Sequence, residues 1–494
     1  MIFVALVFLM ISAMAMFIAA TFESAEKNGA GSIFGGISLA VYGITALLAA
    51  AAWNDTTLHY GVIKSGGIAS LGTIIMCGIG ALTVAGAMAN PEKYKAGVGE
   101  FFGFIAFVVL GGAIMVSTNN MLVLLLGIEI SSYATYILVG YYRDDRFSNE
   151  AASKYFLLGA VASGFLIFGM SLVYASVAFN NPNADILFSY PGIAAALQGT
   201  AGGTAGMPAL IYPAIAMLLV GFGFKLALAP FHSWTPDAYQ GAPTMVAAIL
   251  SVGPKAAVVI ALSTLLTTAF PNPELSVAWK NAIAVLAILS MTIGNLMALQ
   301  QTNLKRLLGF SSIAQLGYVV IGVAVGSFEG TSAVILYMVG YAITNIGAFT
   351  IIAALREAGV GENIEDIGGL VKRNPFAAVM LAGFFMGLAG VPLFAGFLGK
   401  LLLFKSAVDV GMVALAIIAA LNVVPGYFYY FRVIISAVFS EPKDARTFEL
   451  NPTAMTALAL AMGGVVLLGV FPTPLLNAIN DAVKVLPLFA GRIK

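Results

Sequence analysis

The sequence predicts an all-α polytopic membrane protein with about fourteen transmembrane helices in a single membrane domain, residues 1–494. Composition is the first reason: 60% of the residues are hydrophobic and only 9% are charged, whereas a soluble domain has about 25% charged residues. Apolar runs are the second reason, because they are about 20 residues long, enough to cross the hydrocarbon core. No connection between them is long enough for a soluble domain. These features exclude a cytosolic enzyme, a nucleic-acid-binding protein and a disordered chain.

Fourteen apolar runs are the predicted spans. The first begins at Met1 without a basic n-region or a clear cleavage site, so we expect a retained helix rather than a signal peptide. Two connections are longer than the rest, an external one at 179–207 and a cytoplasmic one at 356–375. In chain order the predicted spans are 2–22, 31–53, 66–90, 100–118, 120–141, 152–178, 208–229, 242–268, 280–300, 306–326, 331–355, 376–404, 411–438 and 453–475.

Basic residues in the connections predict the orientation of the chain. Lys and Arg collect in cytoplasmic loops, and alternate connections differ sharply in them. The alternate connections with few basic residues contain little beyond Lys64, Lys280 and Lys405, apart from a mildly basic C-terminal tail. We therefore expect both termini outside, which requires an even number of spans. The rich, cytoplasmic set is Lys27, Lys93, Lys95, Arg143, Arg146, Lys305, Arg306, Arg356, Lys372, Arg373, Lys443 and Arg446.

Residues that bind redox groups are scarce. The single cysteine, Cys77, excludes an intrachain disulfide framework and a cysteine-held iron–sulfur cluster. The two histidines, His59 and His232, cannot supply a pair of axial haem ligands across the bilayer. No phosphate loop or dinucleotide fingerprint is present either. We expect no cofactor, no metal and no redox centre in this chain.

Four ionisable residues lie deep inside predicted spans: Glu129 in the fifth, Lys225 in the seventh, Lys255 in the eighth and Lys400 in the twelfth. Each charge at the centre of a span costs about 2.5–3.5 kcal/mol on insertion scales. Four such costs indicate a charge pathway, with a buried structural ion pair as the alternative. A buried lysine suits protons, because loss of water favours the amine and a nearby carboxylate favours the ammonium. A protonated lysine would repel metal ions.

Two further charges stand nearer the ends of their spans. Lys154 begins the sixth span, and Arg432 lies within the thirteenth. Long basic side chains at such depths can extend to water while their stems stay in the apolar layer. Both a structural and a functional role therefore remain open for Lys154 and Arg432.

Two spans contain signals for a broken helix. Pro230 interrupts the seventh run and Pro392 the twelfth, where glycines also gather. Proline removes a helix hydrogen bond, and paired broken helices in corresponding halves of a transporter mark its pathway. An ordinary proline kink is the alternative. The lysines at similar places in both runs favour the pathway.

Three long motifs point to a known family. They are Lys225-Leu-Ala-Leu-Ala-Pro-Phe-His232-Ser-Trp-Thr-Pro-Asp237-Ala-Tyr239-Gln-Gly-Ala-Pro-Thr, Gln301-Thr-Asn-Leu-Lys305-Arg-Leu-Leu-Gly-Phe-Ser-Ser-Ile-Ala-Gln315-Leu-Gly-Tyr, and Leu388-Ala-Gly-Val-Pro392-Leu-Phe-Ala-Gly-Phe-Leu-Gly-Lys400. The chain resembles the antiporter-like membrane subunits of respiratory complex I over nearly its whole length. The motif has Tyr239 where the L and M types usually have histidine, and in this it resembles the N type. Gln315 stands where the family often has histidine, which puts a proton-carrying role there in doubt.

The resemblance implies an architecture and a set of roles. It implies two inverted five-helix repeats at about 100–270 and 280–438, with peripheral helices at 1–99 and 453–494, and broken helices in the seventh and twelfth spans. Glu129 and Lys225 would be a coupled pair, Lys255 the central relay and Lys400 the terminal one. The secondary positions, where the family keeps charged residues or where the chain bends, are Glu150, Lys154 and His232, with Arg432 as a further candidate.

The function that the resemblance implies is proton translocation. The chain would be a subunit of an oxidoreductase that passes electrons from NADH, a reduced deazaflavin coenzyme or ferredoxin to a quinone or phenazine, in the plasma membrane of a prokaryote. Its expected partners are the lipid bilayer and other membrane subunits, K- and M-type neighbours included, and no nucleic acid. The alternatives are a subunit of a multi-subunit sodium/proton antiporter or a membrane-bound hydrogenase, and a passive scaffold. A scaffold has no reason to carry four charges within the membrane.

Overall fold

The computed structural model describes residues 1–22, 30–89, 97–178, 188–198, 209–444 and 446–486. Some positions considered above lie outside these ranges: Lys27, Lys93, Lys95, most of the connection 179–207, and residues 487–494 of the basic C-terminal tail. Within the described ranges the chain forms nineteen helices, which are α1 Ile2–Thr21, α2 Ala30–Ala51, α3 Gly67–Met88, α4 Val98–Ser117, α5 Met121–Val139, α6 Arg146–Ala178, α7 Tyr190–Gln198, α8 Ile211–Lys225, α9 Trp234–Gly241, α10 Thr244–Ala269, α11 Pro273–Ala298, α12 Leu304–Val325, α13 Phe328–Glu357, α14 Leu370–Arg373, α15 Pro375–Ala389, α16 Ala395–Asp409, α17 Val413–Phe439, α18 Pro452–Val470 and α19 Thr473–Lys484.

Most of the predicted spans are single helices. In the described part of the chain, twelve helices are long and apolar enough to cross a membrane. The two remaining predicted runs, 208–229 and 376–404, contain shorter helices that end at breaks. The protein is therefore an all-α polytopic membrane protein, as the sequence predicts. The total of fourteen crossings and the two inverted repeats stay predictions.

Three helices form the centre of the protein. Every position of α12 in the hydrophobic window is buried, and α10 and α13 are nearly as enclosed. A helix that is buried on all sides needs no polar face for solvent, and polar residues of these three helices form hydrogen bonds inside the protein, as between Ser251 and Asn345 and between Lys255 and Ser312. The outer helices α1, α2 and α18 leave most of their surface uncovered, and α6 exposes a row of large apolar side chains, as expected for contact with lipid. This arrangement places polar groups inside and apolar groups outside.

The break in the seventh predicted span begins earlier than Pro230. Helix α8 ends at Lys225, and Ala227 adopts a left-handed conformation with φ +58°. The backbone N–H of Leu228 then donates to the carbonyl of Gly223 at 2.7 Å and closes the turn. The interruption in the seventh span that the sequence predicts is therefore present, and it begins directly after Lys225.

A short helix after this break was missed in the sequence. Helix α9 has the sequence Trp-Thr-Pro-Asp-Ala-Tyr-Gln-Gly, which is too polar and too short to be recognised as a membrane element. Pro236 is its third residue, in the first turn, where a missing N–H costs little. Helix α9 lies inside the protein with Trp234 and Tyr239 buried. It separates α8 from α10 and lies beside both.

The second break is at the place the sequence predicts. Helix α15 ends at Ala389, Gly390 follows with φ +86°, and α16 begins at Ala395, so Pro392 lies between the two halves. The two halves then approach closely, because a Cβ atom at Gly396 would lie 2.2 Å from the carbonyl oxygen of Gly387. Only glycine fits at position 396, which explains why the break is rich in glycine.

Candidate functional site

Glu129 and Lys225 form an ion pair inside the protein. Lys225 Nζ lies 3.6 Å from Glu129 Oε1, and 6% of the Lys225 side chain and 23% of the Glu129 side chain are exposed. Lys225 Nζ also donates to Ser132 Oγ at 2.8 Å, and Ser163 Oγ donates to Glu129 Oε1 at 2.7 Å. Lys225 is the last residue of α8, so its positive charge stands at the negative end of that helix. The two residues lie within the ion-pair reach that the sequence predicts.

Lys255 has a different environment. It is 1% exposed, and its Nζ donates to Ser312 Oγ at 2.8 Å. The rings of Trp234 and Tyr239 lie 5.8 Å and 5.4 Å from Nζ, close enough for cation–π attraction. No carboxylate of the described residues is paired with Lys255. Helix α9 thus supplies two aromatic walls around this lysine, and α12 supplies its hydrogen-bond acceptor.

Lys400 is held by the end of a broken helix. Its Nζ donates to the carbonyls of Leu388 and Ala389, both at 3.1 Å, and lies 5.2 Å from the ring of Tyr318. These carbonyls belong to the last turn of α15, which has no further helix to bond them. The break therefore creates the binding site for the ammonium group. Lys225 and Lys400 both lie at the negative ends of interrupted helices.

Polar side chains connect Lys255 with Lys400 along α12. The Gln315 amide group donates to the Leu388 carbonyl, which also accepts from Lys400, and to the Tyr430 hydroxyl, both at 2.9 Å. Tyr337 donates to the Gln315 side-chain oxygen. Ser311, next to the Lys255 partner Ser312, bonds the Tyr430 hydroxyl. Gln315 is therefore held by three hydrogen bonds and orients its neighbours. Unlike a histidine, its amide cannot act as a base.

The space between Lys225 and Lys255 is mainly aromatic. Tyr136 and Tyr155 have ring centroids 4.6 Å apart, and Tyr155 stacks on Trp234 at 4.4 Å. His232 lies in the segment between α8 and α9, and its buried Nδ1 has no hydrogen-bond partner among the described residues. A buried polar atom of this kind is normally satisfied by water. His232 follows the break after Lys225 in the chain, and its role as a site residue stays a prediction.

Lys154 and Glu150 belong to a surface cluster at the end of the protein that the loop charges predict to be cytoplasmic. Lys154 Nζ lies 2.7 Å from Glu150 Oε1 and 3.0 Å from Asp237 Oδ2. Arg306 Nη1 donates to the other oxygen of Asp237 at 2.6 Å. An open cavity of about 180 Å³ adjoins these groups. The sequence analysis did not single out Asp237 as a functional residue; its charge in a motif next to Pro236 was the available signal.

Arg432 lies apart from the four buried residues and stabilises a turn. Its guanidinium donates to the carbonyl of Leu299 at 2.8 Å and to that of Gln301. Both carbonyls belong to the connection between α11 and α12, which has no helical N–H groups to satisfy them. These contacts support a structural role for Arg432, one of the two roles that the sequence left open.

Metal ligands do not come together in the described part of the chain, where no group of three or more His, Cys, Asp or Glu side chains could hold an ion. The expectation that the chain carries no metal or other cofactor is not tested by this observation and stays a prediction.

Comparison with known proteins identifies the family. The family model described as "NADH:quinone oxidoreductase/Mrp antiporter, TM" matches residues 118–424. The chain belongs to this family. The match begins just before α5 and ends within α17, so it contains Glu129, Lys225, Lys255 and Lys400. The family resemblance inferred from the sequence motifs is confirmed.

Individual relatives agree with the family match. The chain is 40% identical over 391 residues to NADH-quinone oxidoreductase subunit N of Trichlorobacter lovleyi, covering 78% of this chain and 77% of that protein. A subunit of respiratory complex I from Thermus thermophilus matches with a TM-score of 0.79 at 27% identity, over 97% of this chain and 99% of that one. A chain of the Mrp complex from Dietzia sp. DQ12-45-1b matches with a TM-score of 0.83 at 18% identity, over 98% and 97%, and shares the fold.

Proposed function

We propose that this chain is the N-type, proton-translocating membrane subunit of an NADH-quinone oxidoreductase in the plasma membrane of a prokaryote. The observation that carries the proposal is the set of three lysines buried inside a family member, one of them paired with Glu129. The relatives at 34–40% identity named subunit N support the N type, as does Tyr239 in the motif after Lys225.

The geometry suggests a separate role in proton transfer for each of the four residues. Glu129 is the partly exposed member of its pair, so it exchanges more readily with its surroundings, while Lys225 is enclosed. Lys255 is the central relay, held between aromatic rings and the hydroxyl of Ser312. Lys400 receives the proton at the second break. A transfer from Glu129 to Lys225 breaks an O–H bond and forms an N–H bond, and each transfer between lysines breaks one N–H bond and forms another, so no step requires a redox group.

A sodium/proton antiporter subunit is the second candidate, because the fold is shared with a chain of the Mrp complex. At 18% identity that likeness concerns the fold alone. The named relatives with 40% and 39% identity are subunits of NADH-quinone oxidoreductases. We therefore place the antiporter reading second, and the membrane-bound hydrogenase with it.

The proposal also defines the partners and the orientation. Other membrane subunits flank the chain, with K- and M-type neighbours, and the donor is oxidised in subunits outside this chain. Both termini lie outside and the 356–375 connection lies in the cytoplasm. The loop charges support this orientation.

The test is purification of the complex through a tag on this chain, followed by reconstitution into liposomes. We expect flavin- and iron–sulfur-containing subunits to co-purify, NADH to reduce a quinone, and the reaction to move protons in sodium-free buffer. Recovery of the chain with antiporter subunits alone, without NADH oxidation and with sodium-dependent proton exchange, would establish the second candidate instead.

A further inference from the structure

A second buried lysine–glutamate pair lies outside the four residues described above. Lys305 is in the first turn of α12, and its Nζ lies 3.5 Å from Glu362 Oε1. Exposed fractions are 2% for the Lys305 side chain and 19% for that of Glu362. The Glu129–Lys225 pair has a distance of 3.6 Å and fractions of 23% and 6%. The sequence analysis places Lys305 in the connection before the predicted span 306–326, whereas the structure places it in the first turn of α12 with its side chain enclosed.

The backbone around Glu362 is held against the beginning of α12. The backbone N–H of Leu304 donates to the Glu362 carbonyl at 2.8 Å, and that of Ile364 donates to the Thr302 carbonyl at 2.9 Å. Arg356 Nη1 lies 2.9 Å from the same Glu362 oxygen as Lys305. The charged groups that act on Lys305 are thus Glu362, Arg356 and, more weakly, Asp145. Glu362 reaches the surface, whereas Lys305 does not.

Lys305 shares one side of α12 with the groups that hold the other lysines. Ser312 is seven residues after Lys305, which is about two helical turns and about 10.5 Å along the axis. Ser312 accepts the hydrogen bond of Lys255, and Gln315, three residues further, bonds the carbonyl that holds Lys400. Nearly all of α12 is buried. Its polar residues Lys305, Ser312 and Gln315 lie on one side, and they contact Glu362, Lys255 and the carbonyl that binds Lys400.

The neighbouring helix α13 adds polar atoms to the same region. The Tyr341 hydroxyl and Asn345 Oδ1 are buried and have no hydrogen-bond partner among the described residues. Asn345 Nδ2 donates to Ser251 Oγ on α10 at 2.6 Å. Buried polar atoms are normally satisfied by protein groups or by water. These atoms can therefore form hydrogen bonds with water molecules between the cytoplasmic end of α12 and Lys255.

We propose that Lys305 and Glu362 form a second proton-exchange site, which loads Lys255 from the side of the 356–375 connection without passing through Glu129 and Lys225. A proton from bulk water binds the Lys305 amine beside Glu362. The ammonium then transfers it through water and the Ser312 hydroxyl to the Lys255 amine, so that one N–H bond breaks at Lys305, one forms at Lys255, and each water or hydroxyl between them gains one O–H bond as it loses another. This inference rests on the proposed function.

The competing role for Lys305 is a static clamp. Its Nζ donates at 3.0 Å to the carbonyl of Ala242, the residue that caps the C-terminal end of α9, and a cation is stabilising there. A clamp needs only a permanent positive charge and a donor, whereas an exchange site needs a group that can lose its proton. Arginine has the first property and lacks the second. Lys305→Arg therefore separates the two roles.

The experiment measures protons translocated per electron and the uncoupled rate of quinone reduction in inverted membrane vesicles. The test variants are Lys305→Arg and Glu362→Gln. The matched controls are Lys372→Arg and Glu441→Gln, which alter an exposed pair at 2.9 Å, with exposed fractions of 55% and 84%, on the same side of the protein. Lys255→Met serves as the reference for loss of the central relay.

We expect Lys305→Arg and Glu362→Gln to lower the proton-to-electron ratio at least halfway to the Lys255→Met value, with the uncoupled rate and both controls at wild-type level. A wild-type ratio in Lys305→Arg would establish the clamp and overturn the proposal. If that variant does not assemble, a wild-type ratio in Glu362→Gln overturns it equally. A wild-type ratio in Lys255→Met would instead refute the proposed function itself, so the two failures are distinct.

Discussion

Replacing Glu129 by glutamine removes one charge and almost nothing else. The amide has the size of the carboxylate and keeps an oxygen that can accept the hydrogen bond from Ser163. Lys225 also keeps its bond to Ser132. Two unit charges at the observed 3.6 Å attract by about 5 kcal/mol at an effective dielectric of about 20. This is an upper value, because the partly exposed Glu129 is screened by water.

The loss of this attraction destabilises the ammonium form of Lys225 by at most about 5 kcal/mol, which is a factor of up to several thousand in its protonation equilibrium. We expect Glu129→Gln to lower the protons translocated per electron. Electron transfer in the presence of an uncoupler should stay at the wild-type rate, because the donor is oxidised elsewhere in the complex. Glu129→Asp keeps the charge on a shorter side chain and should be milder.

The assay is acidification of inverted vesicles driven by NADH, with assembly checked by the content of all subunits. Glu274→Gln is the matched control, since it makes the same chemical change at an exposed position in the first turn of α11. The reasoning is refuted if Glu129→Gln assembles fully and translocates protons at the wild-type ratio, because the pair would then be purely structural.

Two further predictions concern a residue outside the pathway and the orientation of the chain. Arg432→Gln removes two charge-assisted hydrogen bonds to the α11–α12 connection, each of which contributes about 1.5–3 kcal/mol. We expect a lower apparent melting temperature of the purified complex and an unchanged proton-to-electron ratio, and the reverse pattern would contradict the structural role. For orientation, Cys77 is the only cysteine and is buried, so Lys484→Cys should react with a membrane-impermeant maleimide in spheroplasts and Lys372→Cys only in inverted vesicles. Exchanged labelling would overturn the orientation.

The spans and the four buried charges could be predicted from sequence because each has a local cause. A run of about 20 apolar residues reveals a span without knowledge of its neighbours. Glu129 and Lys400 stand out because a charge within such a run is costly. Pro392 and the glycines near it likewise identify the second break, since both residue types act on the backbone directly.

Features that depend on distant partners could not be predicted. Helix α9 is short and polar, and its position depends on bonds such as the one between Asp237 and Arg306, 69 residues apart. Lys305 follows a polar segment and resembles a loop residue in sequence, yet Ala242 and Glu362 enclose it from two other parts of the chain. Arg432 finds its acceptors more than a hundred residues earlier. Apolar periodicity contains no information on such pairs.

Lys255 provides the most direct test of the central claim that buried lysines carry protons through this subunit. Lys255→Met replaces the ammonium with an apolar side chain of similar length, and Tyr239 still donates to Ser312 at 3.2 Å, so the acceptor keeps a partner. The measurement is protons translocated per electron in vesicles, with Lys372→Met as the exposed control. We predict a lower ratio with the uncoupled electron-transfer rate preserved. A fully assembled complex with the wild-type ratio would contradict the account.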